Sequence, residues 1–379
     1  AERLHDSEQA LQGFLRVLEI EPDHLPTIDS LEHLRRADTS VALTIMRALL
    51  PYYRSIQDRV REAQAMEVIA AHESDLGVRR LQLNELLTIY NKMGGREVDM
   101  LRVRLLLFET DPPDTDTRTG IRSQARELDS LDNLAATYNR ALVHLEQRIN
   151  KAELAGRKPA EVDITLRREL RLELAAVLRD DLDRGEDAEQ PYQAILKVEE
   201  AHEEAFVCLD ELLRARSAHD ELVKLYRRRA DAIYEPEEQR KLLNKIVKLA
   251  RYALEDNTLA TRTAEEILDL DPEDLSTIEL LAGMYEASEA KEDHYALEEL
   301  LGRWMELVEG ETTRNKIACR RAALRKNRLG DAFGAIDLLG PIVEGNPSHT
   351  EALQLLEELL DLEDVQLQVA ALLEPIYVE

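Results

Sequence analysis

The sequence has few of the residues that interrupt secondary structure. It contains 14 Gly and 12 Pro among 379 residues, about 7%, where an average protein has about 12%. Aromatic residues are also scarce, with 4 Phe, 1 Trp and 11 Tyr. Because Gly and Pro mark turns, their shortage leaves few breaks between long elements. This excludes a collagen-like rod and disfavours an all-β sandwich and a disordered chain.

Cysteine and long apolar runs are scarce as well. The two cysteines, Cys208 and Cys319, lie in apolar-periodic segments that are typical of core-packed thiols. They predict no disulfide framework, so no oxidising compartment is implied. No apolar run approaches ~18 residues, so we predict no membrane span. The chain opens on Ala1 without a signal-peptide pattern. The compartment stays open, with the cytoplasm favoured.

Acidic residues are abundant. The chain has 77 Asp and Glu against 49 Lys and Arg, for a net charge of −28. A charge of this sign repels phosphates, so we expect no nucleic-acid partner. The rest is dominated by strong helix formers such as Leu, Ala, Glu and Arg.

A spacing of 4, 3 and 5 residues recurs along the chain. Steps of 4 and 3 place three side chains on one helix face, and a Pro five residues later ends the helix. The five sets are Ala10, Phe14, Val17 and Pro22; Leu101, Leu105, Phe108 and Pro113; Ala188, Tyr192, Ile195 and Glu200; Ala260, Ala264, Ile267 and Pro272; and Ala335, Leu339, Ile342 and Pro347. The third set has Glu in place of Pro.

The last positions of these sets lie 91, 87, 72 and 75 residues apart. The two shorter intervals match two helical hairpins of about 34 to 38 residues each. The larger early intervals predict longer helices or inserted turns. Residues 154–160 are one such expected turn.

The repeated spacing, with Leu-Gly-Asp before it at residues 329–331, resembles the tetratricopeptide repeat. The Leu-Leu-Glu-Pro-Ile-Tyr element at residues 372–377 resembles large bacterial proteins built from degenerate repeats of this kind. The resemblance implies an all-α fold, an α-α superhelix that is a right-handed solenoid of antiparallel helix hairpins. We expect about nine hairpins in one continuous solenoid over residues 1–379, and we expect it to be a segment of a longer array.

No catalytic or metal-binding motif is found. The sequence contains no phosphate-binding glycine loop, no zinc-ligand spacing and no nucleophile elbow. We therefore predict no enzyme activity, no cofactor and no small-molecule substrate.

Three segments have an unbalanced charge. Residues 240–251 carry five basic residues and no acid, residues 314–328 carry seven and no acid, and residues 348–379 carry eight acids and no Lys or Arg. In repeat register, six of the basic residues align as a candidate partner-binding strip for an acidic segment, called here the basic strip: Lys241, Lys245, Arg251, Lys316, Arg320 and Lys326. The alternative is an ordinary solvated face balanced by neighbouring carboxylates.

The favoured function is a non-catalytic protein–protein interaction scaffold that offers an extended helical-repeat surface. Its partners are expected to be other proteins or like copies of the chain. The alternative is a structural, self-assembling element of a larger envelope, motility or fibre-like complex. An enzyme with a site assembled across several hairpins is the third hypothesis.

Overall fold

The fold is entirely helical. The computed structural model describes the backbone of residues 2–378 and the side chains of residues 9–377, and in that range it has twenty α-helices and no β-strand. The first ten are α1 Glu2–Ile20, α2 Leu25–Ala37, α3 Ala42–Ser55, α4 Arg59–Ala71, α5 Leu76–Met93, α6 Glu97–Thr110, α7 Thr115–Glu127, α8 Leu131–Leu154, α9 Glu161–Ala176 and α10 Gly185–Leu196. The second ten are α11 Glu203–Ala215, α12 His219–Ala232, α13 Pro236–Tyr252, α14 Asn257–Leu270, α15 Leu275–Ala287, α16 Lys291–Leu307, α17 Glu311–Leu324, α18 Ala332–Gly345, α19 Thr350–Leu359 and α20 Gln366–Val378. Short π-helical segments lie at Val177–Asp181 and Arg325–Leu329, and a 3-10 turn lies at Thr39–Val41.

The repeated spacing marks the buried face of its helices. All three patterned side chains are buried in α6, α10, α14 and α18, whereas in α1 Ala10 is exposed and Val17 is half-buried. The helices end shortly before the prolines of the pattern, as expected. Pro113, Pro272 and Pro347 follow the ends of α6, α14 and α18 within three residues. The prediction of an all-α fold built of consecutive packed helices is confirmed for the described residues.

Aspartates begin many of these helices. Each accepts a hydrogen bond from a backbone N–H of the first turn, which satisfies donors that a helix start leaves unpaired. They are Asp58, Asp75, Asp114, Asp256, Asp274 and Asp331. Capping of helix N-termini therefore accounts for part of the high number of acidic residues.

The first long interval has an unexpected cause. Between Pro22 and Pro113 the chain forms five helices, α2 to α6, whereas each later interval holds four. An additional helix, rather than longer helices or an inserted turn, therefore accounts for the first interval. In the second interval α8 is long, with 24 residues, and residues 155–160 connect it to α9.

Contacts divide the chain into two compact units, Ala1–Val198 and Glu199–Glu379. Within each unit the helices pack mainly against their neighbours in the sequence. In the first unit, one core centres on Leu31, Ile45 and Leu49, and a second on Met66 and Leu86. In the second unit, a core joins α17 to α20.

Tyrosines connect adjacent helices in both units. Six of them, within the described part of the chain, donate a hydroxyl hydrogen to a carboxylate on the neighbouring helix. The pairs are Tyr53–Glu32, Tyr90–Glu67, Tyr138–Glu173, Tyr226–Asp210, Tyr285–Glu265 and Tyr377–Glu357. In the first five pairs the phenol ring is buried in the core while its hydroxyl satisfies the carboxylate, whereas the ring of Tyr377 is exposed.

Candidate functional site

A groove opens in the first unit between α5 and α7, with α6 beneath it. Its volume is about 790 Å³, the size of many ligand sites. Along α7 it extends from Thr117 to Glu127, about 15 Å at the rise of an α-helix. An extended peptide of about four or five residues covers that length.

The floor of the groove is apolar and fixed in place. Leu87, Leu107 and Ile121 line it together with Phe108. The ring of Phe108 meets the ring of Tyr138 edge-on, with centroids 4.9 Å apart and planes at 80°. Because Tyr138 lies behind Phe108 and is itself buried, the floor cannot move without disturbing the core.

Polar groups form the rim. Arg80 pairs with Asp111 across one side, and Asn84 donates from its amide to the carbonyl of Arg80. Arg104 donates from Nη1 to Oε1 of Gln124, which is a neutral acceptor. The side chains of Asn and Gln carry both donors and acceptors, which is what the backbone of a bound peptide needs.

The N-terminus of α7 closes one end of the groove. Asp114 accepts hydrogen bonds from the backbone N–H of Thr117 at 3.0 Å and from its hydroxyl at 3.1 Å. These bonds lower the pKa of Asp114, so it stays ionised there.

Gly120 is the least expected member of the lining. It lies inside α7, where Gly costs about 1 kcal/mol relative to Ala. A Cβ built on Gly120 meets nothing within 4 Å, so the groove continues up to the backbone of this helix. A side chain larger than hydrogen would fill part of it.

A charged network lies behind the groove. Arg118, with only 3% of its side chain exposed, donates to Glu173 at 2.8 Å, to Glu169 at 2.7 Å and to the carbonyl of Pro113 at 2.7 Å. Burial opposes the charge of Arg118, but the bonds to Glu173 and Glu169 outweigh it and raise the pKa of the guanidinium. The network joins α7 to α9 and holds the start of α7 in place.

Sequence reasoning did not find this groove. Two of its three helices, α5 and α7, lie where the repeat pattern is weak; α7 has only Ile121 and Ala125 as buried apolar residues. The available signal was Gly120 in the interior of a polar helix, with Gly94 ending α5 at a positive φ of 68° on the other side.

The first half of the basic strip lies on α13. Lys241 pairs with Glu238 at 2.6 Å. Lys245 lies over the ring of Tyr226 at 5.1 Å, and Arg251 over that of Tyr252 at 5.3 Å. At 100° per residue, Lys241, Lys245 and the exposed ring of Tyr252 share one face of the helix.

The second half lies on α17 and the π-helical segment after it. Arg320 donates to Glu286 at 2.7 Å and lies over Trp304 at 5.2 Å. Lys326 pairs with Glu358, and Lys316 is exposed. α13 packs against α12 and α14, whereas α17 packs against α16, α18 and α19. The six residues therefore form two groups with different neighbours, and three of them already have a carboxylate partner.

In the described part of the chain, no group of three or more His, Cys, Asp or Glu side chains is placed to hold a metal ion. No helix there is both long enough and apolar enough to span a bilayer.

No protein-family model matches this sequence, and no curated protein matches it. Among solved structures, the chain is similar to YrrB, a tetratricopeptide-repeat protein with an unusual peptide-binding site, at 16% identity over 49% of this chain and 89% of that chain, with a TM-score of 0.27. It is similar to pilF of Pseudomonas aeruginosa at 14% identity, over 62% and 99% of the two chains, with a TM-score of 0.26. It is similar to the tetratricopeptide-repeat domain of P58(IPK) at 17% identity, over 95% and 99%, with a TM-score of 0.24. Scores this low carry no inference about function.

Proposed function

We propose that the chain is a non-catalytic protein-binding scaffold, and that the groove between α5 and α7 receives a short extended segment of a partner protein. The observation that carries this proposal is the groove itself, with its fixed apolar floor and polar rim. Apolar surface of this kind is costly to leave in water, and a partner's side chain would cover it.

The segment that fits has a large apolar side chain between ordinary backbone groups. Its side chain would cover the half-buried Leu87 and Leu107, and its backbone would meet the amides of Asn84 and Gln124. With a net charge of −28 the chain offers phosphates an unfavourable mean field, so no nucleic-acid partner is proposed.

Gly120 allows a direct test. Gly120→Leu places an apolar side chain in the groove, and its Cβ meets no neighbour within 4 Å. Gly283→Leu is a matched control, because Gly283 is also exposed inside a helix with nothing within 4 Å of its Cβ. Heptapeptides selected on the wild-type chain from a random display library are then measured against both variants. We expect Gly120→Leu to weaken binding at least tenfold and Gly283→Leu to leave it unchanged. If the selected peptides bind both variants equally well, the groove is not the binding site.

A second candidate function, self-assembly, is favoured by charge. The face of α13 with Lys241 and Lys245 carries the exposed ring of Tyr252, and residues 348–379 supply eight acids and no Lys or Arg. Copies of the chain could pair these two regions. Reversing Lys245 and the neighbouring Lys248 to Glu should then abolish concentration-dependent association, and adding Asp361→Lys and Asp364→Lys should restore it. A wild-type chain that stays monomeric at low salt would rule this candidate out.

A further inference from the structure

The second unit has a small basic pocket that is separate from the groove. It is lined by residues of α15, α16, α17 and the π-helical segment Arg325–Leu329, with a volume of about 240 Å³. Its polar lining consists of Arg320, Arg328, Asn327, His294 and Glu286. Two guanidinium groups face one carboxylate, so Arg320, Arg328 and Glu286 together carry one excess positive charge. The chain as a whole is strongly acidic.

Arg320 is held in a fixed orientation. Its Nε and Nη2 both donate to Oε1 of Glu286, at 3.0 and 2.7 Å, while its Cζ lies over the ring of Trp304, 5.2 Å from the centroid. Among the described residues, Nη1 of Arg320 has no hydrogen-bond partner. A guanidinium fixed along one edge keeps its remaining N–H groups ready for a second acceptor at little cost in entropy.

Arg328 is held only loosely. Its contact is with Glu289 at 3.5 Å, and the side chain of Glu289 is 87% exposed. An ion pair this long and this exposed contributes little, because water screens both charges. A carboxylate arriving from outside therefore exchanges with Glu289 at small cost.

The backbone explains how these groups come together. The last turn of α17 continues as a π-helix that contains Asn327 and Arg328, and Gly330 ends it with a positive φ of 67°. A π-helix changes the angular position of the side chains that follow, and such segments are frequent at functional sites. His294 forms part of the wall; it is 7% exposed, and its Nε2 lies 3.1 Å from the carbonyl oxygen of Ser288.

We propose that this pocket binds the carboxylate of an acidic side chain from a partner protein. The carboxylate accepts hydrogen bonds from Nη1 of Arg320, the guanidinium of Arg328 and the amide of Asn327. A singly charged group fits the charge of the lining, whereas a phosphate group with about two negative charges would leave excess negative charge beside Glu286. Of the six residues of the basic strip, only Arg320 lines this pocket.

The test uses fluorescein-labelled peptides of alternating Glu and Gly, with matched Gln–Gly and phosphoserine–Gly peptides, measured by fluorescence anisotropy at low salt. Arg328→Gln removes a pocket charge without breaking a buried contact. Lys316→Gln, an exposed residue of α17 outside the pocket, removes the same charge as a control. We expect the wild-type chain to bind the Glu peptide and not the Gln peptide. Arg328→Gln should weaken binding at least tenfold, as expected for loss of a charge-assisted hydrogen bond, while Lys316→Gln should change it less than twofold.

Three results would overturn the proposal. The first is that the Glu peptide does not bind the wild-type chain. The second is that Lys316→Gln weakens binding as much as Arg328→Gln does, which would indicate only the general electric field of the surface. The third is that the phosphoserine peptide binds more tightly than the Glu peptide. Gly120→Leu in the groove should leave binding of the Glu peptide unchanged, so the two proposals can fail separately.

Discussion

The hydroxyl of Tyr138 on α8 donates a hydrogen bond of 2.9 Å to Oε2 of Glu173 on α9. The same oxygen accepts from Nε of Arg118 on α7 at 2.8 Å. One carboxylate therefore joins three helices directly behind Phe108, the floor of the groove. The stability of the first unit and the shape of its groove depend on the same group.

Arg118→Met should be strongly destabilising. The substitution leaves Glu173 and Glu169 without their shared cation, and breaking a buried ion pair by removing one partner costs about 3–5 kcal/mol. Because Glu169 is partly exposed, we expect the lower end of that range in the free energy of unfolding, measured by urea denaturation. Arg157→Met, at an exposed position after α8, is the control and should change it by less than about 0.5 kcal/mol. Equal effects of the two variants would show that the network adds no stability.

Stability should fall at alkaline pH. Burial, followed by the hydrogen bond to a carboxylate, raises the pKa of Tyr53, Tyr90 and Tyr285, and raises that of Tyr226 to about 12. The unfolded value is about 10. A group whose pKa is higher in the folded chain contributes stability below the unfolded pKa, and this is lost as pH rises through the folded pKa.

We therefore expect the free energy of unfolding, measured by urea denaturation at a series of pH values, to decrease above about pH 10. Tyr53→Phe removes one contributor, so its stability should fall less steeply with pH than that of the wild-type chain. A free energy of unfolding that stays constant above about pH 10 would contradict the raised pKa values of these tyrosines.

Two glycines should respond in opposite directions to alanine. Gly120 lies inside α7 with open space around it, so Gly120→Ala should raise the free energy of unfolding by up to about 1 kcal/mol. Gly330 has a positive φ of 67°, which an L side chain rarely adopts, so Gly330→Ala should lower it by about 1 kcal/mol. Thermal denaturation of the two variants measures the difference. The same sign for both would mean that one of these backbone environments is wrongly described.

The two cysteines should differ in reactivity. Burial, followed by the charge of Glu351, raises the pKa of Cys319 to about 12, while Cys208 is half-buried. The thiolate is the reactive form, so Cys319 should react with a disulfide reagent near neutral pH only when the chain unfolds. Counting thiols released before and after adding denaturant checks this. Rapid labelling that persists in a Cys208→Ser variant would contradict it.

The sequence was informative where apolar side chains repeat. The 4 and 3 spacing identified buried faces in α6, α10, α14 and α18, because helix periodicity is a local property. It also predicted that both cysteines pack in the core, which is correct for Cys319 but wrong for Cys208, which is half-buried. The additional helix before Pro113 was missed, since α4 and α5 carry no copy of the pattern.

The sites were harder to predict because they depend on contacts distant in sequence. Arg118 meets Glu173, 55 residues further along the chain, so no spacing rule could connect them. Repeat register aligned Lys326 with other cations, but could not show that Glu358 of α19 would neutralise it. Charge runs indicate a helix face, whereas the partner of each charge is fixed by packing.

Trp304 is the only tryptophan of the chain, and it is buried in α16 beneath Arg320. All indole fluorescence therefore originates in the second unit, whereas far-UV circular dichroism reports on the helices of both units. Comparing the two optical signals during denaturation would show whether the units melt together or in succession, without any label being attached.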